Sequence, residues 1–284
     1  MASADTITVQ GVAVPRFMYG TAWKEERTEA LTALALQRGF RAVDTANQRK
    51  HYFEAGAGAA IQAALADGTC TRDDLFIQTK FTYRRGQDHR LPYDPAAAPA
   101  LKVAQSLASS LEHLGLEYLD AYVLHGPDGQ RGLSRMDVKV WSAMERAYAD
   151  GLTKLIGISN VSLRHVQQLV RKARVKPAFV QNRCYARFGW DRDVRAFCRD
   201  HDIVYQGFSL LTANGRELSH PDVVAMAQRL KVTVPQLVFA WSMAVGMLPL
   251  TGTSSEQHMR EDLAAQVMRL SESDVVAFEQ LTTP

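Results

Sequence analysis

Three polar residues each stand directly behind a short apolar run, and their types suit proton transfer. Asp44 follows Arg41-Ala42-Val43, Lys80 follows Leu75-Phe76-Ile77-Gln78-Thr79, and His125 follows Ala121-Tyr122-Val123-Leu124. A lysine beside an aspartate in a dry site lowers the pKa of a nearby tyrosine. The tyrosine then serves as proton donor to a carbonyl oxygen that is gaining negative charge. Taken singly, each residue has a blander reading. An aspartate behind a strand is often a helix cap, a lysine there is usually solvated or ion-paired, and a lone histidine is commonly a hydrogen-bonded core group. To act together, the three need a scaffold that brings distant positions to one pocket.

The alternation of patterns along the chain provides it. Residues 6–14 alternate around Gly11 and predict a short hairpin at the barrel bottom. Residues 16–19 form the first strand, which runs into Gly20, where a missing side chain lets backbone approach a ligand. Helical spacing over residues 26–37, 54–66, 98–114, 138–149, 163–173, 192–199, 222–230 and 235–244 separates the remaining strands. Those end at Asp44, Thr79, Leu124, Ile158, Val180, Gly207 and Leu250. The expected fold is therefore α/β: a (β/α)8 TIM barrel, one unit over residues 1–284, with extra C-terminal helices at 258–268 and 272–281. In such barrels the C-terminal ends of the strands share one face, and active sites lie there.

Composition narrows the partners. The chain has 284 residues, 46% hydrophobic and 22% charged, which suits a soluble protein with a large core. A net charge of +3, with no Lys/Arg run interleaved with aromatics, gives no reason to expect nucleic acid. Cys70, Cys184 and Cys198 show neither CxxC nor metal-ligand spacing, so no metal site is expected and reduced thiols in a cytoplasmic protein are the simplest account. No apolar run reaches membrane-spanning length, and the first residues do not read as a secretion leader. A monomer is expected.

The order and spacing of several stretches resemble the aldo-keto reductase superfamily over nearly the whole chain. They are Gly20-Thr21-Ala22-Trp23, Gly39-Phe40 through Asp44-Thr45-Ala46, Leu75 to Lys80, Leu114-Gly115-Leu116-Glu117-Tyr118-Leu119-Asp120 through His125-Gly126-Pro127, Trp141 to Glu145, Gly151 to Asn160, and Gln181-Asn182. The resemblance implies reduction of a small-molecule aldehyde or ketone by NADPH, with NADH also admissible, through an Asp/Tyr/Lys/His tetrad. Asp44, Lys80 and His125 map onto it directly. The usual tyrosine position, five after the aspartate, is Arg49 here, and the acid is assigned to Tyr52. Aligning Glu54 and Gly58 with the family's Glu and Gly instead sets His51 opposite the tyrosine and Tyr52 one place off.

The resemblance also implies a cofactor site. Gly20, Thr21, Trp23 and Asp44 belong to it, with Ser159, Asn160 and Gln181 on the nicotinamide carboxamide and Phe208 stacked under the ring beside Ser209 and Leu210. Gly252, Thr253 and Ser254 precede a helix carrying His258, Glu261 and Asp262, a start that suits phosphate. Gly252 and His258 occupy the places of the family's phosphate-binding Lys and Arg, so selectivity for NADPH over NADH is expected to be weak. Trp23, Tyr52, Phe81, His125 and Tyr185, with Tyr83 and Phe188, are the expected substrate walls, and loops 126–136 and 212–221 the expected cover. No long C-terminal substrate loop is expected, which leaves an open pocket. The displaced tyrosine keeps a second reading in view, a cofactor-binding regulatory protein on the same barrel; a Schiff-base lyase using Lys80 is a third. Gly56-Ala57-Gly58 resembles a dinucleotide fingerprint but lies inside a helix, where close packing is the better account.

Overall fold

The structure is a computed structural model and describes residues 6–283. Strands β1 (Thr6–Val9) and β2 (Val12–Pro15) form an antiparallel hairpin. Eight parallel strands follow: β3 (Met18–Gly20), β4 (Ala42–Asp44), β5 (Phe76–Phe81), β6 (Leu119–Leu124), β7 (Thr153–Ser159), β8 (Phe179–Arg183), β9 (Val204–Phe208) and β10 (Leu248–Thr251). Each pairs with its successor, and β10 returns to β3 through Leu250 opposite Met18 and Thr251 opposite Tyr19, so the barrel is closed.

Side chains two apart along a strand share a face. On β5 this sends Phe76, Gln78 and Lys80 inward, and Ile77, Thr79 and Phe81 out toward the helices. The lower interior is apolar: Met18, Ala42, Phe76, Ala121, Leu155, Phe179 and Leu248 pack with Val9 and Val14 of the hairpin. The hairpin thus plugs the N-terminal end and leaves the opposite end for chemistry. One layer up, the interior turns polar, with Asp44, Gln78, Lys80, Gln181 and Gln206 all buried.

Two helices, Glu54–Ala66 and Arg192–Arg199, have the predicted bounds. β5 runs two residues beyond its predicted end, which puts Lys80 inside the strand. The helix before the C-terminal one starts at Glu256 because Ser255 caps it, its Oγ accepting from His258 N at 3.3 Å. A short helix, Gly215–Leu218, has no apolar periodicity and was not expected. No helix among the described residues is long and apolar enough to cross a membrane.

Gly58 explains the small residues of its helix. A Cβ there would lie 2.0 Å from His113 O and 2.8 Å from Leu114 Cα, both backbone atoms of the neighbouring helix Pro99–Leu114. Gly58→Ala is expected to cost about 1–3 kcal/mol or more by overpacking. Thermal unfolding checks this, and an unchanged Tm would mean that the two helices part freely.

Candidate active site

A cavity of about 900 Å³ opens at the C-terminal ends of the strands. Asp44 closes β4 and lines it. Lys80 stands behind it, fully buried. Its ammonium donates to Asp44 Oδ1 at 2.7 Å, Asp44 Oδ2 at 2.6 Å and the Thr45 carbonyl at 2.8 Å. Burial pulls the Lys80 pKa below its ordinary value, against the opposing pull of the Asp44 charge and hydrogen bonds. Asp44 Oδ1 also accepts from Gln78 Nε2 at 2.7 Å and Gln181 Nε2 at 3.1 Å. Gln206 joins both glutamines, its Oε1 accepting from each at 2.9 Å. The carboxylate is therefore surrounded by donors, Lys80 on one side and the two glutamine amides on the other.

The loop behind β4 turns back on itself, with His51 N and Tyr52 N both donating to Gln48 O. This turn carries Tyr52 to the cavity wall. Lys80 Nζ lies 5.2 Å from the centroid of the Tyr52 ring, and the His125 ring meets it edge-on at 5.8 Å. The Tyr52 pKa is not lowered, contrary to the expectation from the neighbouring lysine: burial raises it, the Asp44 charge adds to this and the Arg183 charge opposes it. His125 Nδ1 is 2.7 Å from Thr82 Oγ1. Burial, then the charges of Lys80 and His51, holds the His125 pKa well below 6.5, so the imidazole is neutral at pH 7. His51 also lines the cavity, but its ring is tilted against Trp23 with centroids 3.8 Å apart, and Trp23 is 66% exposed. Of the two candidates for the acid, Tyr52 is the one whose ring packs on both Lys80 and His125.

The same cavity is lined by Gly20, Trp23, Ser159, Gln181, Phe208, Ser209 and Leu210, and further along by Gly252, Thr253, Ser254, His258, Glu261 and Asp262. Burial raises the Asp262 pKa to about 6, against a hydrogen bond from Thr251 Oγ1. Besides Lys80, four expected site residues lie off the wall. Thr21 is buried with its hydroxyl donating to Asp44 O, and Asn160, at φ 55°, turns its amide to the His125 carbonyl at 2.6 Å. Phe81 faces outward, packed between Tyr83 and Tyr93, because it follows the inward Lys80 in the strand. Tyr185 meets Phe188 edge-on beyond the barrel rim. Tyr83 is also turned away, its hydroxyl donating to Asp137, and Phe188 is 71% exposed. Loop 126–136 adds nothing to the wall, whereas Thr212 of the second loop does.

Lys24, Arg27 and Arg183 line the cavity and were not anticipated. Lys24 is buried, and its ammonium donates to the Gly252 carbonyl at 2.6 Å. A Cβ at position 252 would lie 3.7 Å from that ammonium, so Lys24 stands beside the space a side chain at 252 would enter. Burial, then the nearby Arg27 charge, lowers its pKa to about 8. The available signal was its place directly behind Gly20-Thr21-Ala22-Trp23. For Arg183 it was the two-residue step from Gln181 on one strand.

Comparison with known proteins agrees with this architecture. The chain is 28% identical over 273 residues to an uncharacterized oxidoreductase, YtbE, of Bacillus subtilis, covering 95% of this chain and 90% of that one. It is 27% identical over 280 residues to a glyoxal reductase of the same organism, covering 98% and 92%. A Bombyx mori aldo-keto reductase solved in complex with NADP superposes with a TM-score of 0.83 at 22% identity, covering 99% of this chain and 94% of that one. Residues 17–283 match the Aldo/keto reductase family, and the chain belongs to it.

Proposed function

We propose that the protein is an NADPH-dependent carbonyl reductase in which Tyr52 protonates the substrate oxygen. The observation that carries this reading is the packing of Tyr52 on both Lys80 and His125 at the wall of a cavity that continues to loop 251–255. The residues present fit a nicotinamide dinucleotide. Phe208 offers a ring face, Ser159 and Gln181 offer polar groups, and Thr253, Ser254 and the helix start at Glu256 suit phosphate. When bound, the cofactor supplies hydride to the carbonyl carbon. Tyr52 gives its proton to the oxygen, and the positive charge of Lys80 favours the tyrosinate left behind. His125 orients the carbonyl by a hydrogen bond from Nε2, a role that requires the tautomer in which Nδ1 accepts from Thr82 Oγ1, 2.7 Å away.

Lys24 supports the phosphate end, where position 252 is glycine. Lys24→Met is expected to weaken NADPH binding about tenfold, the scale of one charge-assisted hydrogen bond. The wild-type affinity should also fall as pH rises past about 8, because only the protonated lysine attracts phosphate. Fluorescence titration of NADPH from pH 6 to 10 reads both effects, and a flat profile would remove Lys24 from the site.

The activity itself is tested by following NADPH oxidation, with NADH in parallel, against aldehydes, ketones and α-dicarbonyls. Tight cofactor binding without turnover of any carbonyl would replace this reading with the regulatory one.

A further inference from the structure

Arg183 ends β8, two residues beyond Gln181 and on the same inward face, and lines the cavity that holds Tyr52 and His125. It pairs across the sheet with Phe208, and its guanidinium carbon lies 5.7 Å from the centre of that ring. Among the described residues Arg27 also lines the cavity without an ion pair, but it stands beside Lys24, toward Gly252, while two arginines elsewhere at the barrel's edge are paired. Arg72 meets Asp120 at 2.8 Å, and Arg195 meets Glu279 at 2.8 Å. Among the described residues, Arg183 has no ion-pair or hydrogen-bond partner, although its charge is felt at the Tyr52 hydroxyl. The three carboxylates of the same cavity are otherwise engaged: Asp44 is bonded by Lys80, Asp262 accepts from Thr251, and Glu261 accepts from Gln257. The reacting end of the cavity thus holds a cation with five N–H donors and no anion of its own.

We infer that Arg183 selects substrates that carry a carboxylate, so that the preferred substrates are oxo acids whose aldehyde or ketone is reduced while the carboxylate rests on the guanidinium. This rests on the carbonyl reductase reading and names its substrate class. The chemistry balances without any new reactant: the carbonyl carbon gains hydride, its oxygen gains a proton, and the carboxylate leaves unchanged. Guanidinium and carboxylate match as a planar fork, which adds direction as well as attraction.

The test compares para-carboxybenzaldehyde with its uncharged methyl ester, using wild type, Arg183→Gln and Arg183→Lys, with the NADPH Kd measured for each. Wild type should prefer the acid, and raised ionic strength should shrink that preference. In Arg183→Gln the ratio of kcat/KM for acid to ester should fall about tenfold or more, chiefly through KM, with partial return in Arg183→Lys. Because the ratio is internal to each variant, partial misfolding cancels. An unmoved ratio overturns the inference. So does an unmoved ratio with weakened NADPH binding, which would assign Arg183 to a cofactor phosphate. Turnover of the ester with no preference for the acid in wild type sinks the role of Arg183 and leaves the reductase reading standing. No turnover of either aldehyde in wild type sinks both.

Discussion

Tyr52→Phe is expected to lower carbonyl reduction by about 10²–10⁴-fold, the usual contribution of a positioned general acid, while NADPH binds as before. The change removes one oxygen and keeps the ring that packs on Lys80 and His125, so cavity shape is preserved. His51→Ala should cost far less, since that ring leans on exposed Trp23 while Lys80 and His125 pack on Tyr52. Steady-state rates with fluorescence-measured cofactor affinity decide between them. If Tyr52→Phe keeps its turnover and His51→Ala loses it, the acid is His51. The pH profile gives an independent check. Burial and the Asp44 charge raise the Tyr52 pKa above 10.0, so the donor stays protonated and reduction should not fall for want of its proton below that pH. Alcohol oxidation needs the tyrosinate and should accelerate as pH rises.

Lys80→Met should abolish turnover nearly as completely and should also destabilise the fold. Asp44 would be left buried without its cation, and breaking a buried pair costs about 3–5 kcal/mol. The two effects can be separated. In the double variant Asp44→Asn, Lys80→Met no uncompensated charge remains, and stability should largely return, because a buried pair is worth little against neutral groups of similar volume. Activity should not return. Thermal unfolding of both variants, set beside their rates, reads this directly. A double variant no more stable than Lys80→Met would mean that the lysine's packing, rather than its pairing, holds the strand ends. Recovered activity would overturn its part in the chemistry.

The barrel was legible because burial on both faces writes each strand as an apolar run, and the helices between carry a different period. Asp44, Lys80 and His125 were legible for the same reason: each breaks such a run at the end where the cavity opens. Residues whose direction depends on one step of the pleat were not. Phe81 adjoins Lys80 in sequence and faces the opposite way. Asn160 adopts a left-handed turn that swings its amide to His125 O, and no pattern of residue types announces that. Tyr52 lies in a loop, where spacing along the chain says little about position in space. Its hydrogen-bonded turn on Gln48 brings it to the cavity wall three residues beyond the position expected from the family. Lys24 reads as a solvated lysine among Glu25, Glu26 and Arg27 until the fold buries it against Gly252.

The polar layer under the cavity has a mechanical side. Gln78 and Gln206 exchange hydrogen bonds at 2.9 and 3.0 Å across the interior, and Gln181 reaches Asp44 from the far wall. Strands β4, β5, β8 and β9 are thereby lashed together by cross-braces through the hollow as well as by their neighbours around the rim. A brace of this kind lets the connecting segments above it lengthen, shorten or change composition while the reacting groups keep their spacing. Grafting a foreign loop onto residues 212–221 should therefore alter which molecules enter while leaving the Asp44–Lys80 separation as it stands.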